Sequence, residues 1–119
     1  MDHRKLGLRV YATATGYPAA FDLAGRLVDR VSAIVAVQDC RVYPYRKFEN
    51  CFGLWLELSS SDQDAAFDSL WRTVAPGWVE QGGPGERSAI WDRETHGGVS
   101  VLPEAIWMHL NLCSAPEGD

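Results

Sequence analysis

Hydrophobic and polar positions alternate near the start of the chain. Leu6, Leu8, Val10 and Ala12 fall on one side and Gly7, Arg9, Tyr11 and Thr13 on the other, the two-residue period of a strand with one buried face. After Thr15-Gly16-Tyr17 the period changes. Pro18 suits the first turn of a helix, and Ala20, Leu23, Leu27, Val31 and Ile34 recur at steps of three or four, which predicts an amphipathic helix of about four turns. Asp22, Arg26, Asp29 and Arg30 lie largely off that stripe. A short strand is expected at Cys40-Arg41-Val42-Tyr43, followed by a connection through Pro44, Lys47, Glu49 and Asn50. From Cys51 to Ser59 alternation returns, with Phe52, Leu54, Leu56 and Leu58 opposed to Gly53, Trp55, Glu57 and Ser59. Ser61 is placed to cap a second helix, with Asp64 three residues on and Ala66, Phe67, Leu70 and Val74 as its stripe. Pro76-Gly77 ends it.

The last third reads as strands: Trp78-Val79-Glu80, a Gly82-Gly83-Pro84-Gly85 turn, Ser88 to Trp91, a turn around Thr95 to Gly98, Val99 to Leu102, and a final strand from Ala105 to Cys113. Residues 114–119 are a polar tail expected to fray. Two helices cannot cover both faces of such a sheet, so they should share one. The expected fold is α+β: a ferredoxin-like (split βαβ) antiparallel sheet with two helices on one face and extra C-terminal hairpin strands, in one domain over 1–119.

Composition limits the function classes. The 119 residues are 46% hydrophobic, enough to bury a core, and carry a net charge of −5. An acidic chain is a poor general binder of nucleic acid or of anionic membrane, whereas a basic partner is allowed. Three cysteines, Cys40, Cys51 and Cys113, are odd in number and widely spaced, so they fit neither a disulfide framework nor a CxxC clasp and read as small hydrophobes in a reducing cytoplasm. The first residues contain no apolar run of the kind that makes a signal peptide or a membrane span, so a cytoplasmic location is expected.

With the helices over the leucine face, Ile106, Met108, Leu110 and Leu112 should join the core. The opposite face then collects Arg9, Tyr11, Trp55, Glu57, Trp107, His109 and Asn111. Trp, Tyr and Arg dominate binding hot spots, so this composition describes an interaction surface. Stacking on RNA bases would need interleaved Lys and Arg for the phosphates, and Glu57 opposes them.

Catalytic and metal signals are weak. Asp92, Glu94 and His96 would share a face if their segment were extended, as metal ligation needs, but polar residues are expected beside the Gly97-Gly98 turn in any case. Glu57 could orient His109 as a general base if their strands were neighbours, and Cys51 or Cys113 could pair with that histidine, yet no nucleophile-elbow setting accompanies them. The glycines at 82–85 do not lead from a strand into a helix and so do not form a phosphate loop. No metal or cofactor is expected.

One passage looks familiar: Ser88-Ala89-Ile90-Trp91-Asp92, then Gly97-Gly98, then Leu102-Pro103-Glu104-Ala105-Ile106-Trp107-Met108-His109-Leu110. Over about a third of the chain it resembles small cytoplasmic immunity proteins of bacterial polymorphic-toxin systems. That resemblance implies a small α+β protein that blocks a toxin by occlusion, with Trp91, Trp107 and His109 touching the toxin and no catalytic residue to carry across. The nine Arg against two Lys suit a GC-rich bacterial genome. The expectation is therefore a non-enzymatic binding protein whose partner is a cognate toxin or another protein. The rivals are a small-molecule-binding or regulatory domain, dimeric through the open sheet, and a small enzyme using His109 and Glu57.

Overall fold

A computed structural model describes residues 4–82, 86–96 and 100–114. The chain runs β1 (Arg4–Thr13), α1 (Tyr17–Val31), β2 (Ala36–Pro44), β3 (Cys51–Ser59), α2 (Gln63–Val74), β4 (Val79–Gln81), β5 (Arg87–Asp92), the single turn α3 (Arg93–His96) and β6 (Ala105–Ser114). All the strands join one antiparallel sheet in the order β2-β3-β1-β6-β5-β4. The structure is thus α+β, with β1 central and both long helices over one face.

The leucine face makes the core. Leu8, Val10, Leu54, Leu56, Met108 and Leu110 from the strands meet Leu27, Val31, Phe67 and Leu70 from the helices in one buried cluster, as the two alternating patterns and the two helical stripes predict. Burying such side chains contributes roughly 1.5 to 3 kcal/mol each, which is what holds the helices on the sheet. Gly16 precedes α1 with Pro18 in its first turn. The α2 cap is Asp62, extended in backbone, whose carboxylate accepts the Ala65 N–H at 3.1 Å, rather than Ser61, which lies one residue too early to reach that N–H. Gln63 is buried at the start of α2, where its side-chain amide donates to the Arg4 carbonyl.

Several local expectations are corrected. The second strand covers Ala36–Pro44 rather than four residues, with Gln38 as an extra residue between the pairs Val37–Leu58 and Asp39–Glu57. Residues 100–104 form turns instead of a strand. The Val101 N–H donates to the carbonyl of Val74 at the end of α2, and the Ser100 hydroxyl closes on Leu102. Ile106 does not continue the core face. Tyr11 pairs with Trp107 while Ala12 pairs with Ala105, so Ile106 is the additional residue of a β-bulge, and Ala105 takes the buried position. The expected glycine turn at 83–85, the glycines at 97–98, Val99 and the tail at 115–119 lie outside the described residues.

Candidate binding face of the sheet

On the side away from the helices, antiparallel pairing arranges the side chains in rows across the strands. One row is Tyr43, Gly53, Tyr11, Trp107 and Asp92. The next is Arg41, Trp55, Arg9, His109 and Ile90, and the third is Asp39, Glu57, Gly7, Asn111 and Ser88. Arg9, Tyr11, Trp55, Glu57, Trp107 and His109 therefore stand together on one face, in the places that strand alternation assigns them.

Two glycines let this face be paved with rings. A Cβ at Gly7 would collide with the far edge of the Trp55 indole, and one at Gly53 would collide with the Tyr43 ring, so each aromatic lies over bare backbone on a neighbouring strand. The Arg9 guanidinium sits 5.3 Å from the centroid of the Trp55 ring, within cation–π range. In the first row Tyr11 stacks on Tyr45 at 4.1 Å and on Trp107 at 5.2 Å, with interplanar angles of 16° and 24°. Tyr45 comes from the β2–β3 connection, held there by its N–H donating to the Cys51 carbonyl. Offset-stacked pairs of this kind contribute about 0.5 to 1.5 kcal/mol beyond area burial.

Electrostatics follow from this packing. Burial, and secondarily the positive charge of Arg9, pushes the His109 pKa below its ordinary value. Tyr43 is pushed up, chiefly by burial. Asp39 opposes Glu57 across β2 and β3, an unfavourable like-charge pairing that Arg41 offsets by contacting the Asp39 carboxylate at 2.8 Å.

At the end of the first row a cavity of about 470 Å³ opens between the aromatic stack, Phe48 and the Asp92-Arg93-Glu94 segment, with Ile106 on its wall. The bulge puts Ile106 there. Neither Tyr43, Tyr45, Phe48 nor this wall was readable from the sequence pattern, though glycines at open-face positions signal that rings must cover them.

Trp91 does not join this face, and the three constellations weighed from the sequence do not form. Trp91 is fully buried on the helix-covered face, opposite Met108 in β6, so it belongs to the core and cannot touch a partner. Glu57 and His109 are not on neighbouring strands: β1 runs between them, with Gly7 opposite Glu57 and Arg9 opposite His109, a separation of about two strand spacings, roughly 10 Å. Cys51 pairs with Thr13 near one end of β1 and Cys113 with Lys5 near the other, whereas His109 pairs with Arg9. The extended path that would align Asp92, Glu94 and His96 stops at Asp92, whose carboxylate accepts the Glu94 N–H at 2.9 Å and turns the chain into α3. Among the described residues no group of three or more His, Cys, Asp or Glu could hold a metal ion, and no helix is long and apolar enough to cross a membrane.

Compared with protein-family models, curated proteins and solved structures, the chain matches none. The case for function therefore rests on the face itself.

Proposed function

We propose that this protein is a non-enzymatic inhibitor that binds another protein through the open sheet face, and that it acts as a bacterial immunity protein occluding a toxin in the cytoplasm. We read the order β2-β3-β1-β6 with α1 and α2 on one side as a split βαβ, ferredoxin-like unit, extended at its edge by β4 and β5. The observation that carries the reading is the paved face: Trp55 with Arg9 over it, and Tyr11 stacked between Tyr45 and Trp107. Aromatic side chains and Arg held in place by packing are the residues from which binding hot spots are made, because little further entropy is lost when a partner lands on them.

A net charge of −5 suits a basic partner, whose approach it would steer and whose association would slow as salt screens the field. It disfavours nucleic acid, and the only Lys and Arg in the three rows are Arg9 and Arg41. The partner contacts assigned are Arg9, Tyr11, Trp55, Glu57, Trp107 and His109. Co-expression with the product of the adjacent gene tests the reading: a 1:1 complex that restores growth, and that Trp107→Ala abolishes, supports it. A neighbouring product that is neither toxic nor bound would sink it.

A second reading, a small-molecule-binding domain, is favoured by the cavity beside Trp107, since its volume lies in the usual range for ligand sites. A metabolite retained by the purified protein would select it over the first.

A further inference from the structure

We infer that β2 is a self-pairing edge: two copies of this chain join antiparallel about Cys40, with Asp39 of each copy facing Arg41 of the other. The sheet ends in β2 on one side and β4 on the other. β4 has three residues and β2 nine, so β2 is the edge long enough to template another strand. Its outward backbone groups can be assigned. The Tyr45 N–H donates to the Cys51 carbonyl, and bonded and unbonded pairs alternate along an antiparallel ladder. Counting back in register, Tyr43, Arg41 and Asp39 exchange bonds with Gly53, Trp55 and Glu57 of β3, so the N–H and C=O groups of Cys40 and Val42 point out of the sheet. The bulge at Gln38 and the proline at 44 bracket this stretch without interrupting it. The Gln38 amide is turned back onto the Ser59 hydroxyl of its own chain at 2.7 Å.

Charge selects both the register and the occupant. The antiparallel complement of Asp39-Cys40-Arg41 is a strand with the same order, Asp before Arg, so a second copy supplies it about a twofold axis. Pairing about Cys40 gives two opposite-charge cross-strand pairs, whereas pairing about Arg41 would set two guanidinium groups against each other. Within one chain Arg41 reaches Asp39 through Nε at 2.8 Å and is 72% exposed. Its Nη1 and Nη2 hold no bond among the described residues and are left for the carboxylate of the second copy. Each Asp39 then meets two arginines and each Arg41 two carboxylates. Glu57, beside Asp39, adds to the negative side of this ring, and Arg9, beyond Trp55 in the Arg41 row, adds to the positive side. On the helix side Cys40 and Val42, half-buried against the core, bring an apolar seam to the same axis. The net charge of −5 on each copy opposes approach at long range, where salt screens it, and acts little on pairs in contact. β1 and β6 lie away from this edge, so self-pairing neither needs nor blocks the binding role proposed for the open face.

The test is sedimentation of the full chain over a range of concentrations at physiological salt, with two charge variants. The natural chain should pass from the monomer mass toward twice that mass as concentration rises. Asp39→Arg and Arg41→Asp each set like charges opposite one another, and each alone should weaken self-association by about tenfold or more. Mixed in equal amounts the two variants should associate again, because every facing pair is then Arg against Asp. Neither side chain is buried, and the thermal melt of each variant verifies its fold. Register is read by isotope-filtered NMR on a mixture of labelled and unlabelled natural chain. The Hα of Asp39 should contact the Hα of Arg41 in the other copy, since a pair flanking the bonded Cys40 pair brings its Cα atoms to about 4.5 Å. A chain that stays monomeric throughout the range, self-association that both variants retain, or a mixture of the variants that stays monomeric would overturn the inference. Contact between the Arg41 residues of the two copies, in place of Asp39 with Arg41, would overturn it as well.

Discussion

Trp55 lies across the backbone of Gly7, on the neighbouring strand and one row away, and the indole occupies the space a Cβ would need. The same ring carries the Arg9 guanidinium on its face. A residue with no side chain in the middle of a central strand therefore organises the exposed face as much as its large neighbours do. Glycine in a strand interior ordinarily weakens it, and an aromatic laid over it restores the lost contact.

Replacing Gly7 with Ala should consequently act with opposite sign in two backgrounds. In the natural chain the new methyl must displace the indole and break the Arg9 contact, so a net loss of about 1 kcal/mol and a red shift of tryptophan emission are expected. With Trp55→Ala already present the clash is gone, and Gly7→Ala should stabilise by roughly 0.5 to 1 kcal/mol through reduced backbone freedom. Urea midpoints of the four proteins measure the cycle; additive effects would show that the ring does not rest on Gly7.

Trp91 and Trp107 should separate cleanly, although they sit on the paired neighbouring strands β5 and β6. Trp91→Ala removes a fully buried ring and should cost roughly 3 to 5 kcal/mol of folding stability. Trp107→Ala loses a half-exposed stack on Tyr11, for which about 1 to 2 kcal/mol is expected, while partner binding falls by about 2 kcal/mol or more. Denaturant midpoints alone distinguish the two sites. A collapse with Trp107→Ala as large as that with Trp91→Ala would remove the main support for the face as a docking surface.

The contrast between these tryptophans shows where the sequence was readable. Strands with long, clean alternation, β1 and β3, disclosed their faces, and β3 its extent as well, whereas β1 begins at Arg4, two residues before the alternation starts at Leu6; with the helical stripes they named the core. Trp107 came out on the correct side because β6 pairs with β1 in register from Trp107 to Ser114. For Trp91 the short strand assigns no side, and a partner contact is implied only by the resemblance; pairing with Met108 puts its ring in the core. Bulges did the rest: an added residue at Gln38 or Ile106 reverses the phase of alternation, so Ile106 reads as core and yet lines the cavity. The cap on α2 was misread by one residue since Ser61 and Asp62 are both capable acceptors. Tyr45 and Phe48 gave no periodic signal, being in a connection whose path only the folded chain defines.

Stability should fall on mild acidification through His109. Burial and Arg9 hold its folded pKa below the ordinary 6.5, so between the two values the unfolded chain binds more protons than the folded one. Folding is then unaffected well above pH 6.5 and loses stability as pH drops below it, levelling off once the folded pKa is passed. In His109→Gln this component should vanish, giving a flatter profile between pH 7 and 5 than the natural chain shows. Thermal melts across that range check the sign. A natural chain that grew more stable on protonation would mean a carboxylate reaches His109, contrary to the placement of Glu57 beyond β1.

Arg87 should prove the strongest single polar tie between the outer strands and the helical layer. From β5 its Nη2 donates to Asp68 of α2 and to Glu80 of β4, both at 2.7 Å, with Nε to Glu80 at 3.0 Å. Its guanidinium carbon also lies 4.4 Å from the Phe67 ring centroid. The side chain is only 23% exposed, so solvent screens these contacts less than it would a surface pair. Its partners are more open, which argues for the lower part of the range, and Arg87→Met should cost about 1.5 to 3 kcal/mol while keeping most of the stem packing. Arg87→Lys should recover part of that loss, because an ammonium retains the charge but cannot fork to two carboxylates in one plane. Hydrogen exchange locates the effect. Protection should drop first at the amides of β4 and β5 and leave β1 and β3 unchanged, whereas a uniform loss along the sheet would mean that the outer strands and the core unfold together and that Arg87 is not the tie between them.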